Sequence, residues 1–139
     1  MFNKDIIKIS LTLKNEYSNI YKLLNEHNVK VITHNLNSLI PAFTNNIEGI
    51  NTIIIDENLP EDEKKFILCH EFAHILFHDN AIRYFSKIHN NADKFELQAN
   101  IFATIFTGYK YNNNFSDNYI QKIINYIYIN YLKNEVSFN

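Results

Sequence analysis

The chain opens on a mixed pattern. Ile6, Ile9, Leu13, Tyr17, Ile20 and Leu24 recur at helical spacing from Asn3 to His27. Ile7, Ile9, Leu11 and Leu13 also alternate with polar residues, as a strand would, but the helical stripe covers more of the segment. A helix is expected there. Val29 to His34 is short and β-branched, which predicts a strand. Asn35 to Ser38 reads as a turn, Pro41 to Thr44 as a short second strand, and Asn45 to Gly49 as a second turn. Thr52 to Asp56 is the clearest strand, apolar on both faces. The connections are too short for helical crossovers, so a small antiparallel sheet is expected.

The pattern then becomes helical. Pro60 suits a first helical position, and Glu61, Asp62 and Glu63 put negative charge at the positive end of the helix dipole. This helix should run to about His78. A second is expected over roughly Ala92 to Thr107, with Gly108 as its stop. A third should start after a Ser116 cap and reach about Lys133 on the Ile120, Ile123, Ile124, Ile127, Tyr131 stripe. Asp79 to Asn91 carries no clear period. The fold class is therefore α+β: a small sheet packed against several helices.

Size and charge narrow the function classes. A chain of 139 residues fits one domain, 1–139, and buries enough surface to need no disulfide. One cysteine, Cys69, excludes an internal disulfide and any zinc site built on several thiolates. A net charge of -2 is not that of a protein held on nucleic acid or membrane by bulk charge. The first residues lack the pattern of a signal peptide and no apolar run approaches a membrane span, so the cytoplasm is the expected location.

The chemistry concentrates in the first long helix. His70-Glu71-Phe72-Ala73-His74 is an H-E-x-x-H pattern. Residues four apart share a helix face, so both imidazoles can reach one metal ion. Glu71 is turned off that stripe but stays close enough to take a proton from a water on the metal. Without such a partner, two histidines and a glutamate on the core side of a helix would be costly. A catalytic zinc takes three protein ligands and keeps one position open. Downstream candidates for the third are His78, Asp79, His89, Asp93 and Glu96. A straight helix cannot wrap three successive turns round one tetrahedral ion, so His78 reads instead as a histidine complementing the helix C-terminus. Glu96 lies in the next expected helix, from which a carboxylate could complete the site. Cys69 points about 100° away and reads as a small core residue. Tyr84, Tyr109 and Tyr111 are candidates for stabilising an oxyanion, and the sequence does not choose among them.

The stretch Phe66 to His78, followed by Lys94-Phe95-Glu96-Leu97-Gln98-Ala99-Asn100-Ile101-Phe102-Ala103, resembles the ImmA/IrrE family of metallopeptidases. That family pairs a His-Glu-x-x-His-x-x-x-His helix with a later Glu-x-x-Ala-Asn-x-Phe-Ala helix. The likeness covers about residues 29 to 107. Thr104 to Gly108 stands where the family usually has a Leu-Leu-Met-Pro-like stretch. The resemblance implies a minimal zincin-like domain with one Zn2+ per chain. It implies His70, His74 and Glu96 as zinc ligands and Glu71 as general base, with Asn100, one turn after Glu96, orienting a ligand histidine. It further implies hydrolysis of a peptide bond in a protein substrate, typically a helix-turn-helix repressor of a phage or mobile element, whose cleavage derepresses genes. An alternative of a different class is a zinc-binding regulatory protein that binds a repressor or toxin without cutting it. The two readings part at the open coordination position.

Overall fold

The computed structural model describes residues 1–36, 40–78, 93–113 and 115–133, and the backbone of 83–85. The N-terminal stripe forms two helices rather than one, α1 (Asn3–Glu16) and α2 (Ile20–Glu26). Tyr17 turns extended, and the Asn19 side chain then accepts from the Lys22 N–H at 3.0 Å to start α2. The break is a capping effect that hydrophobic spacing does not register.

β1 (Lys30–His34), β2 (Ala42–Ile47), β3 (Ile50–Asp56) and β4 (Arg83–Phe85) form a sheet in the order β1-β3-β2-β4. β2 is antiparallel to both β3 and β4, but β1 is parallel to β3. The expected antiparallel sheet is therefore a mixed one. The chain leaves β1, skips one strand position and returns as β2; the β2–β3 hairpin then fills the gap. A parallel neighbour arises this way without any helical crossover, which was the step the length argument assumed. β4 falls in the stretch expected to be irregular. The turn expected over Asn45–Gly49 narrows to two residues, because β2 continues to Ile47. Glu48 and Gly49 both have positive φ (52° and 82°), as a two-residue hairpin turn compatible with strand twist requires. The Asn46 side chain accepts from the Gly49 N–H at 3.0 Å.

α3 (Glu61–Phe77) is capped by Pro60, one position earlier than expected, and its first turn is acidic. From Phe66 to His74 every residue is buried, so the helix runs through the core. It packs on α4 (Lys94–Thr107), on β2, β3 and β4, and on α2. α4 is capped by Asp93 and ends at Gly108, whose φ of 70° is the left-handed geometry of a helix stop. α5 (Asn118–Ile127) is capped by Asp117, not Ser116, and continues as a π-helical turn, Tyr128–Leu132. The Ser116 hydroxyl instead donates to Asp62 at 2.7 Å. The expected stripe is in place: Ile120, Ile123, Ile124 and Ile127 are buried. Among the described residues, no helix is long and apolar enough to cross a membrane.

Candidate metal centre

Two helices supply the centre. α3 carries His70 and His74 one turn apart on one face, and α4 lies against that face. The Asp93 side chain caps α4 by accepting from the Phe95 and Glu96 N–H groups at 2.8 and 3.1 Å. Asp93 is thus a capping residue, and it sets Glu96 in the first helical turn. Glu96 Oε2 lies 3.0 Å from His70 Nε2, and Oε1 lies 2.9 Å from His74 Nε2. The two Nε2 atoms are 3.3 Å apart. Three donor atoms from His70, His74 and Glu96 therefore converge within 4.8 Å of one another.

This donor set fits a divalent ion. Tetrahedral zinc with bonds of 2.0–2.1 Å places its ligand atoms roughly 3.3 Å apart. The observed separations of 2.9–3.3 Å need only slight spreading. Two imidazole nitrogens and a carboxylate oxygen are also the donor types zinc takes. Asn100 Oδ1 sits 2.7 Å from His70 Nδ1. An amide oxygen only accepts, so Nδ1 carries a proton and a neutral His70 turns the lone pair of Nε2 toward the centre.

The electrostatics match a site waiting for positive charge. Burial alone would depress His70, but the hydrogen bond and negative charge of Glu96 outweigh it and raise the ring above its ordinary value. Burial lowers His74 to about 4, against the pull of Glu96 and with help from the neighbouring His70. Burial would raise Glu96, yet His70 and His74 in their protonated forms, hydrogen-bonded to it and positively charged, hold it far below the usual carboxylate range.

Glu71 is fully buried and points to the sheet, where Thr44 on β2 donates to its Oε2 at 2.5 Å. His78, at the C-cap of α3, stands outside the converging donors. Its Nδ1 lies 2.8 Å from His74 Nδ1 and its Nε2 2.9 Å from Gln98 Oε1. Asp79 and His89 lie outside the described residues, as does the side chain of Tyr84. Tyr111 packs near Tyr128. Tyr109 is pushed up to about 12, by burial first and then by the negative charges of nearby carboxylates such as Asp62. The tyrosine that feels Glu96 is Tyr119, at the start of α5, raised by burial and then by that carboxylate. Thr44, Gln98 and Tyr119 went unrecognised in the sequence, because nothing in their local spacing marks them.

The profile of the IrrE N-terminal-like domain, a peptidase family, matches residues 24–107. The chain belongs to this family. The match takes in α3 and α4 and so all three converging side chains. The chain is also similar to "Uncharacterized immunity region protein 2" of Bacillus phage phi105, 35% identical over 95 residues. That alignment covers 67% of this chain and 60% of the relative, so the chain spans less than two thirds of the phage protein's length. No solved structure matches. The IrrE-like family and the phage relative agree with the resemblance drawn from the two motifs.

Proposed function

We propose that this IrrE-like chain is a zinc-dependent endopeptidase, with His70, His74 and Glu96 as ligands and Glu71 as general base. The observation that carries the reading is the convergence of the two Nε2 atoms and the Glu96 carboxylate, with Glu71 next to His70 on the same buried helix. When bound, zinc supplies Lewis acidity that polarises a peptide carbonyl and makes water a stronger acid. Glu71 takes the proton of the attacking water and passes it to the departing amine. Thr44 fixes the carboxylate through Oε2, and Asn100 fixes the His70 ring through Nδ1. An extended substrate would add beside β4, the outer strand next to β2, with its main chain parallel to the sheet.

The substrate we favour is a helix-turn-helix repressor of a phage or mobile element, acting in the cytoplasm. The phage relative, named for an immunity region, supports that setting. We further take 1–139 as one domain. α1 lies before the matched segment yet packs on α4, and Gln98 of α4 bonds to Met1.

The deciding experiment incubates the zinc-loaded protein with a repressor encoded beside it and follows cleavage by gel. Wild type should cut, and Glu71→Gln should keep its zinc and fail to cut. Equal biological activity in the two proteins would favour a binding role without proteolysis.

A further inference from the structure

Outside the three converging donors, α3 and α4 share a second polar connection. His78 stacks on Phe95 with ring centroids 4.4 Å apart and 32° between planes. Its two nitrogens face His74 Nδ1 at 2.8 Å and Gln98 Oε1 at 2.9 Å. Gln98 is buried, and its Nε2 donates to the Met1 carbonyl at 2.9 Å and to Asn3 Oδ1 at 3.4 Å.

With both rings neutral and an ion rather than a proton at His74 Nε2, donor counting gives each bond in this chain its direction. Both contacts of Gln98 Nε2 are oxygens, so the amide nitrogen faces α1 and the amide oxygen faces His78. That oxygen only accepts, so His78 carries its proton on Nε2. A neutral His78 then has a lone pair on Nδ1, which accepts from His74 Nδ1–H. With its proton on Nδ1, a neutral His74 presents a lone pair at Nε2, the atom 2.9 Å from Glu96 and 3.3 Å from His70 Nε2.

We propose that His78 is a positioning residue for the metal centre. Through Gln98 and the Met1 main chain it holds His74 in the tautomer that aims a lone pair at the ion. The inference rests on the zinc reading above. It assigns the third histidine of the helix a part without making it a ligand. His70 gets the same service from Asn100; His74 gets it from a chain of side chains ending on the start of α1.

The test measures zinc affinity of the full chain by competition with a chromophoric chelator. His78→Phe keeps an aromatic ring on Phe95 and removes both nitrogens; affinity should fall about 10–100-fold. His78→Asn, whose amide oxygen can take the place of Nδ1, should recover most of that loss. Gln98→Leu, which touches none of the three donors, should weaken binding in the same sense. Long-range 1H–15N spectra of the zinc-free protein, with His74 neutral, should show it protonated at Nδ1 in the wild type and in mixed tautomers in His78→Phe, a readout that a purely structural role would leave unmoved. Unchanged affinity in both His78→Phe and Gln98→Leu overturns the proposal, as does a His74 proton on Nε2. If His78→Phe does not fold, Gln98→Leu and the spectra decide. A wild type that takes up no zinc, like His70→Ala, removes the underlying reading and this inference with it, a result distinct from zinc bound equally by every variant.

Discussion

The hydroxyl of Thr44 donates to Glu71 Oε2 at 2.5 Å, a buried contact that ties the middle of the sheet to the helix bearing both histidines. A hydroxyl–carboxylate bond in a dry setting is among the stronger side-chain hydrogen bonds. Thr44→Val keeps the shape and loses the donor. Unfolding free energy should fall by about 1.5–3 kcal/mol in denaturant titration. In a Glu71→Gln background the same change should cost clearly less, and equal costs would show that the two side chains are not coupled.

Stability of the zinc-free protein should peak near the ordinary histidine value. His74 protonates near pH 4 when folded but near 6.5 when unfolded, so between these values the unfolded chain binds a proton that the native state lacks. Stability therefore drops as pH falls through that window, by up to about 3 kcal/mol. Glu96, held low by its two histidines, adds to the loss once pH falls below its ordinary range. His70 works in the opposite sense. Its raised value gives stability that is complete below 6.5 and disappears as pH rises through the folded value. Melting curves from pH 4 to 9 would show both flanks, and excess zinc should flatten the alkaline one, because the ion replaces the proton.

Zinc at 100 times its dissociation constant should stabilise the fold by about 2.7 kcal/mol, and a chelator should reverse the effect. For a chain of this size that is a melting shift of roughly 5–10 °C. Scanning calorimetry with and without chelator measures it; coincident curves would argue against an ion held between α3 and α4.

Glu96→Gln keeps the shape and removes the charge that balances two buried imidazoles. Zinc content, read by elemental analysis after metal-replete preparation, should fall well below one per chain. His70 should also lose its upward shift, visible in an NMR titration of the zinc-free variant. A full complement of zinc in Glu96→Gln would remove Glu96 from the ligand set.

Cys69 is fully buried, and burial pushes its thiol well above the ordinary value. A water-soluble maleimide at neutral pH should label it only after unfolding, as intact mass would record. Rapid labelling of the native protein would contradict its place in the core.

What the sequence made legible is what local spacing encodes. The four-residue separation of His70 and His74 fixes a shared helix face, and Asp93 and Gly108 bound α4 within two residues of expectation. Glu96 was one of several downstream candidates, and the resemblance of its helix to the second motif of the ImmA/IrrE family is what singled it out. The parallel pairing of β1 with β3 was not legible, since it depends on which strand fills the gap between β1 and β2. The break at Tyr17 was lost beneath a continuous apolar stripe, and the N-cap of α5 moved one residue, to Asp117, while Ser116 is engaged with Asp62. Thr44 acts through a partner 27 residues away and Gln98 through partners 20 and 97 residues away, which no short-range pattern carries.

The converging donors come from positions as much as 26 residues apart on two packed helices. An ion seated among them would act as a rivet. α3 and α4 could then separate only after it dissociates, so the rate of metal release would cap the rate at which this half of the molecule opens.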